Sequence, residues 1–176
     1  MTYVQIAQTT VGVSASTITF SSIPQTYTDL LLIISARSSN GGSGDYTLNF
    51  AVNGSPTIYR RTLLSGAGAS PTIETTSSTN LSVGYVAQSG NASVFSNTAI
   101  RILDYTSSIA KMCFVEDGTD YFGNGLATYS GLNINNATGI TSITLSDAAL
   151  TNFVQYSSAT LYGILKGGSG ATITTT

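Results

Sequence analysis

The sequence lacks the residues that most catalytic and metal sites require. It has no histidine, no tryptophan and one cysteine among its 176 residues. Without histidine the chain has no usual general base, no Ser-His-Asp or Cys-His arrangement, and few means of holding zinc or haem. The one cysteine, Cys113, cannot form an internal disulfide, and its apolar neighbours in "KMCFV" favour a small buried hydrophobe. We therefore expect no enzymatic activity and no cofactor.

Charge is also scarce. Only 8% of the residues are charged and the net charge is −2, whereas an average soluble protein is about a quarter charged. The six Lys and Arg residues form no basic patch, which argues against binding to nucleic acid or to an anionic membrane. A weakly charged surface built from hydroxyls and amides favours a protein that works inside an assembly.

One apolar stretch stands out in this polar chain, the five aliphatic residues Leu30 to Ile34. A membrane-spanning helix needs roughly 20 apolar residues, so this run is far too short. It follows "TYTD" and ends before the glycine-rich "SSNGGSGD". The pattern predicts a central β-strand from Asp29 to Arg37, buried on both faces in its first half.

Alternating apolar residues and turn signals recur along the rest of the chain. They predict about ten strands and an all-β fold, a jelly-roll-like antiparallel β-sandwich. Tyr46 to Leu64 is predicted to form a hairpin closed by Asn53-Gly54, because both residues tolerate positive φ. We expect residues 1–166 to form a single domain. The tail, residues 167–176, is expected to be ordered only by a neighbour.

Two long segments, Ser65 to Asn80 and Glu116 to Gly131, are predicted to be loops. Loops of that length in a compact domain are usually functional. The second segment contains Tyr121, Phe122 and Tyr129, which we predict to contact a partner. Aromatic side chains can anchor an interface or stack on a sugar, since they supply much contact area at low entropic cost. The alternative is that Tyr129 caps the core.

The acidic residues give little support for a catalytic site or a metal site. Asp104, Glu116, Asp117 and Asp120 are the candidates for a pair of catalytic carboxylates, as in glycosidases. The last three lie in "EDGTDYFGNG", which could also bind calcium, but the spacing is not that of an EF-hand loop. The sequence favours an ordinary solvated turn, and we predict no metal site.

Several segments together resemble a group of small virion proteins of tailed bacteriophages. They are "SSIPQTYTDLLLIISARSS", "SGLNINNATGITSITLSD" and "NFVQYSSATLYGIL". The matching positions are Pro24, Tyr27, Asp29 and Leu30; Ser130 to Leu132; Ile140 and Ile143; and Leu161 to Ile164. Relatives carry Trp where this chain has Asn133, which argues against carrying over a surface pocket there.

The resemblance implies a non-enzymatic structural role in the virion. We expect a capsid decoration or cement protein, a homotrimer that contacts the major capsid protein or other virion proteins. The alternative is a tail, baseplate or fibre component, with a host glycan as a further partner. The start, "MTYVQIAQTT", has no basic region and no apolar stretch of signal-peptide length. We therefore expect synthesis in the host cytoplasm, before incorporation into the particle.

Overall fold

The fold comes from a computed structural model that describes residues 2–42, 45–55, 58–68, 70–76, 82–90, 93–121, 124–149 and 151–165. These ranges contain fourteen β-strands and no helix. The strands are β1 (Thr2–Thr10), β2 (Ser14–Ala15), β3 (Thr17–Phe20), β4 (Asp29–Ala36), β5 (Asp45–Val52), β6 (Ile58–Ala67), β7 (Ser70–Thr76), β8 (Ser82–Ala87), β9 (Ser96–Ile102), β10 (Lys111–Tyr121), β11 (Asn124–Ile134), β12 (Ile143–Asp147), β13 (Phe153–Val154) and β14 (Ser158–Leu165). The described residues therefore include no helix that could span a membrane.

The strands form two main antiparallel sheets and a short two-stranded pair. The large sheet has eight strands in the order β1-β14-β4-β9-β10-β11-β6-β7, and the small sheet has four in the order β3-β12-β5-β8. One hydrophobic core contains residues of both sheets. The prediction of an all-β, antiparallel sandwich is confirmed, whereas the jelly-roll connectivity stays a prediction.

The aliphatic run lies in β4, at the centre of the large sheet, as predicted. Because successive side chains of a strand point to opposite faces, Leu30, Leu32 and Ile34 face the small sheet and are fully buried. The prediction that both faces are buried is wrong. Leu31 is half-buried, and Ile33 is 42% exposed.

The segment that leads into β4 is fixed by a buried tyrosine from the β9–β10 turn. The hydroxyl of Tyr105 donates to the carbonyl of Pro24, and the ring of Tyr27 lies against Gly163 of β14. Asp29 accepts a hydrogen bond from the backbone N–H of Asp104 at 3.0 Å. These three contacts together fix the path of the chain into β4.

The predicted hairpin of Tyr46 to Leu64 is wrong, although its turn is correct. Asn53 and Gly54 both have positive φ, 51° and 71°. The strands on either side then diverge, since β5 pairs with β12 and β8 while β6 pairs with β11 and β7. Asn53 accepts a hydrogen bond from the N–H of Thr141 at 2.8 Å and donates to the carbonyl of Gly139 at 2.9 Å. The turn is therefore a crossover between sheets, tied to a neighbouring loop.

The two predicted long loops are largely strands. Most of Ser65 to Asn80 belongs to β6 and β7, which pair antiparallel, and residues 77–80 lie outside the described part. The segment Glu116 to Gly131 is the end of β10 and the start of β11, paired residue by residue from Lys111↔Ile134 to Tyr121↔Asn124. The acids and glycines of "EDGTDYFGNG" suggested a turn, but pairing on both sides overrides these weak local preferences.

The inner face of the large sheet, which faces the small sheet, is apolar in one region and polar in another. Ile100, Cys113 and Val115 are fully buried in the core, as predicted for Cys113. Further along the same strands, five polar side chains are also nearly buried. They are Thr98, Asp117, Thr119, Thr128 and Ser130. Thr98 donates to Asp117, whereas the hydroxyls of Thr119, Thr128 and Ser130 have no hydrogen-bond partner among the described residues.

Candidate binding face

The outer face of the large sheet is the side that points away from the small sheet, and it exposes several large apolar residues. Ile33 of β4 is 42% exposed, Tyr129 of β11 48%, Leu64 of β6 51% and Ile73 of β7 73%. Single exposed apolar residues are ordinary on protein surfaces, but a contiguous group usually indicates a contact site. The question is therefore whether these residues are neighbours.

The strand register shows that they lie in one row. Ile33 pairs with Ala99, Ala99 with Glu116, and Glu116 with Tyr129. Tyr129 then pairs with Leu64, and Leu64 with Ile73. Adjacent strands lie about 4.8 Å apart, so the row crosses six strands and spans roughly 24 Å. Glu116 is its single charged residue.

Two aromatic rings lie at the centre of this face. The rings of Phe114 and Tyr129 stack with centroids 6.4 Å apart and an interplanar angle of 23°. They are diagonal neighbours, because Phe114 pairs with Gly131 and Tyr129 pairs with Glu116. Gly131 leaves open space beside the rings, since a Cβ built there would meet nothing within 4 Å.

A depression of about 370 Å³ lies beside the two rings and is lined by Leu31, Ala99, Arg101, Phe114, Glu116 and Tyr129. We call this space, with its six lining residues, the aromatic depression. A second depression of about 430 Å³ continues from Tyr129 toward Leu64 and Ile73. A third, of about 680 Å³, adjoins at Ala99 and Glu116 and extends past Gly118. The outer face is thus a continuous shallow surface with small residues on its floor.

Two charged side chains line the aromatic depression, one in an ion pair and the other exposed. Arg101 forms an ion pair with the buried Asp29, Nη2 to Oδ2 at 3.1 Å, and Asp29 is itself held by the β9–β10 turn. The guanidinium therefore has a fixed position at one side of the depression. Glu116 is exposed on the other side.

The predicted contact residues are only partly brought together. Tyr129 lies on the outer face, so the alternative that it caps the core is wrong. Tyr121 is the last residue of β10 and its side chain lies outside the described part, as does the whole of Phe122. Sequence reasoning missed Phe114 as the stacking partner of Tyr129, although the alternation in "KMCFV" around the buried Cys113 indicates that Met112 and Phe114 share the opposite face.

The four candidate acids do not form one site in the described residues. Glu116 and Asp117 point to opposite faces of β10 because they are adjacent in a strand. Asp104 lies in the β9–β10 turn with a φ of 47°, and Asp120 is on the outer face beyond Gly118. Within the described ranges, no group of three or more His, Cys, Asp or Glu side chains is placed to hold a metal ion.

Comparison of the chain with protein-family models, with curated proteins and with solved structures gave no significant match. The resemblance to virion proteins therefore rests on the quoted segments alone.

Proposed function

We propose that the protein is a non-enzymatic structural protein of a tailed-phage virion, a decoration or cement protein that stabilises the capsid by adhesion. The observation that supports this function best is the exposed outer face of the large sheet. A continuous aliphatic run such as Leu30 to Ile34 is typical of a strand buried on both faces. Among the residues that the structure describes, a second sheet covers only the inner face, so a partner is the simplest explanation for the apolar character of the outer face.

The chemistry of the outer face suits adhesion in a crowded particle. The apolar row carries Glu116 as its one charge, so burial against a partner removes little charge from water. Contacts of this kind depend weakly on salt, in contrast to charged interfaces. Each contact can be modest, because many copies on one particle add up by multivalency.

The edges of the large sheet offer a second kind of contact. In the described residues β1 and β7 each have a strand neighbour on one side only. The sequence of β1, "TYVQIAQTT", has no charged residue and no proline, which are the residues that usually protect an edge from pairing with another chain. We propose that edges and loops join copies into a trimer while the outer face around Leu64 and Ile73 contacts the capsid protein.

The test is made on purified particles of the phage that encodes this chain. A decoration protein is present at a copy number comparable with that of the major capsid protein, and particles stripped of it lose heat stability. The quantities to measure are band stoichiometry on a denaturing gel and the temperature of genome release. A scarce protein indicates the tail or fibre alternative instead, and absence from particles would falsify both.

A matched pair of variants connects this test to the outer face. Ile73→Asp places a charge on the row, at a residue 73% exposed, whereas Ile109→Asp changes an equally apolar residue, 67% exposed, in the β9–β10 turn. We expect both variants to fold, because neither side chain is buried. Only Ile73→Asp is expected to stop re-binding to stripped particles. Equal re-binding of the two variants would exclude the outer face as the contact.

A further inference from the structure

We infer that the aromatic depression is a saccharide-binding site, whose ligand is a neutral or amino-bearing pyranose unit. This inference rests on the side chains of the depression and not on the virion assignment. The first step is the shape of the aromatic pair. The rings of Phe114 and Tyr129 are nearly parallel, 6.4 Å apart between centroids, and both residues are exposed on the open sheet face.

A flat apolar surface is the complement of one side of a pyranose ring. The axial C–H groups of the sugar form an apolar patch, and its hydroxyls project outward from the rim. Aromatic rings carry negative charge on their faces, which attracts the weakly positive C–H hydrogens. Both aromatic residues line the depression, so each can contribute exposed ring surface to this contact.

The second step is the hydrogen-bonding rim. Glu116 is exposed and pairs directly with Tyr129, so its carboxylate lies next to the stack and can accept from two sugar hydroxyls. Arg101 pairs with Phe114 and is fixed by Asp29 at 3.1 Å, so its guanidinium presents donors in a settled orientation. Ligand sites commonly combine an apolar lining with a few placed polar groups of this kind.

The charges of Arg101 and Glu116 indicate which class of sugar can bind. The positive charge of Arg101 is already neutralised by Asp29, so the guanidinium has little charge left to attract an anion. Glu116 has no such neutralising partner among the described contacts, and its carboxylate repels acidic sugars. A neutral sugar, or one bearing an amino group, is therefore favoured over a uronic or sialic acid.

The size of the depression is consistent with a short glycan. Its volume, about 370 Å³, lies near the lower end of the roughly 300–1,000 Å³ that is typical of ligand sites. The adjoining depressions share residues with it, so a longer chain could continue along the outer face on either side of the aromatic pair.

The experiment is a binding measurement on the purified full chain. The probes are an array of immobilised neutral, amino-bearing and acidic oligosaccharides, followed by saturation-transfer NMR with the free sugars at millimolar concentration. We expect neutral or amino-bearing glycans to bind and acidic ones not to bind. Tyr129→Ala or Phe114→Ala is expected to weaken binding by about tenfold or more, since each removes half of the stack.

Two further variants make the result specific. Tyr3→Ala is the matched control, because Tyr3 is 54% exposed on β1, at the far edge of the same sheet, and it should leave binding unchanged. Ala99→Val fills the floor of the depression with a residue that suits a strand, and it should abolish binding while the protein stays folded. Folding of each variant is checked by urea denaturation.

Three outcomes would overturn the inference. One is that no sugar of the array binds the wild-type protein. Another is that Tyr129→Ala and Tyr3→Ala bind equally well. The last is that sedimentation velocity shows the chain self-associating through this face and Tyr129→Ala dissociates it without any effect of sugars, in which case the occupant is a second copy. None of these results changes the copy number on virions, so the proposed function is judged separately.

Discussion

The two faces of the eight-stranded sheet are built from alternate residues of the same strands, yet they meet different surroundings. On β4 the inner residues Leu30, Leu32 and Ile34 are completely buried, whereas Leu31 and Ile33 between them are in contact with solvent. On β4 the residue types do not differ between the faces, and only the covering layer does. Since none of the described residues forms a layer over the apolar outer face, the stability contributed by its side chains can be compared with that of the inner face.

The largest expected difference is between neighbouring residues of β4. Leu32→Ala removes a buried side chain and leaves a cavity, which typically costs about 2–5 kcal/mol of unfolding free energy. Ile33→Ala removes a side chain of similar size from the outer face and should cost less than about 1 kcal/mol. Urea denaturation of both variants measures the two losses. Equal losses in the isolated chain would mean that the outer face is already covered.

A second prediction concerns the hydroxyl of Tyr105, a buried polar group that has a hydrogen-bond partner. Tyr105 is fully buried and its hydroxyl donates to Pro24. Tyr105→Phe should therefore cost about 1 kcal/mol at neutral pH through the lost hydrogen bond. Burial raises the pKa of Tyr105 above its ordinary value, so the folded state holds this proton more tightly than the unfolded chain does.

The sign of the pH dependence follows from that shift. The contribution of Tyr105 is complete below about pH 10, the ordinary pKa of tyrosine, and is lost as the pH rises through the raised value. Lys111 acts in the opposite sense in the same range, because burial lowers its pKa. The difference between wild type and Tyr105→Phe removes the lysine effect. That difference should shrink above pH 10, and a constant difference up to pH 11 would contradict the expectation.

Sequence reasoning succeeded where a feature depends on residues close in sequence and failed where it depends on distant ones. The aliphatic run predicted β4, and Asn53-Gly54 predicted a turn with positive φ, since both depend on residues close in sequence. The crossover at Asn53-Gly54 was missed because the turn residues specify positive φ but not which sheet the next strand joins. That choice is made by distant partners, namely β12 and β8 for the strand before the turn and β11 and β7 for the strand after it.

The candidate site was found only in part for the same reason. Tyr129 was singled out as an aromatic residue in a polar segment, but its neighbour Phe114 lies on another strand, at a position set by the β10–β11 register. Glu116 was considered as a turn acid, and the turn proved to be a paired strand. Arg101 drew no attention, because its anchoring by Asp29 depends on the pairing of β9 with β4.

Two buried threonines of the inner face are expected to differ in what their hydroxyls contribute to stability. Thr98 donates to Asp117, so Thr98→Val removes a hydrogen bond to an acidic side chain and should cost about 1.5–3 kcal/mol. The hydroxyl of Thr128 has no hydrogen-bond partner in the described part of the chain, so Thr128→Val should be neutral or stabilise by up to about 1 kcal/mol. Thermal and urea unfolding of the two variants give the comparison. A clear loss in Thr128→Val would show that a buried water bridges this hydroxyl.

Two glycines on opposite faces are expected to respond to substitution in opposite directions. At Gly163 a Cβ would collide with the ring of Tyr27, whereas at Gly131 it would meet nothing within 4 Å. Gly163→Ala should therefore destabilise the fold by about 1–3 kcal/mol through overpacking. Gly131→Val should stabilise it by roughly 0.5–1 kcal/mol, because glycine weakens a strand interior and valine suits one. Both values come from urea denaturation.

The direction of the stability change in Gly131→Val is informative about function as well as about folding. If the valine variant is more stable, the open space next to Phe114 is not required by the isolated fold, and we propose that the glycine leaves room for a molecule that approaches the outer face. The same variant should then weaken the binding of a partner or sugar, because the added methyl groups occupy the space beside the rings. A variant that is more stable and binds as well as the wild type would separate the glycine from any contact. That result would confine the binding surface to the opposite side of the aromatic pair, around Ala99 and Arg101.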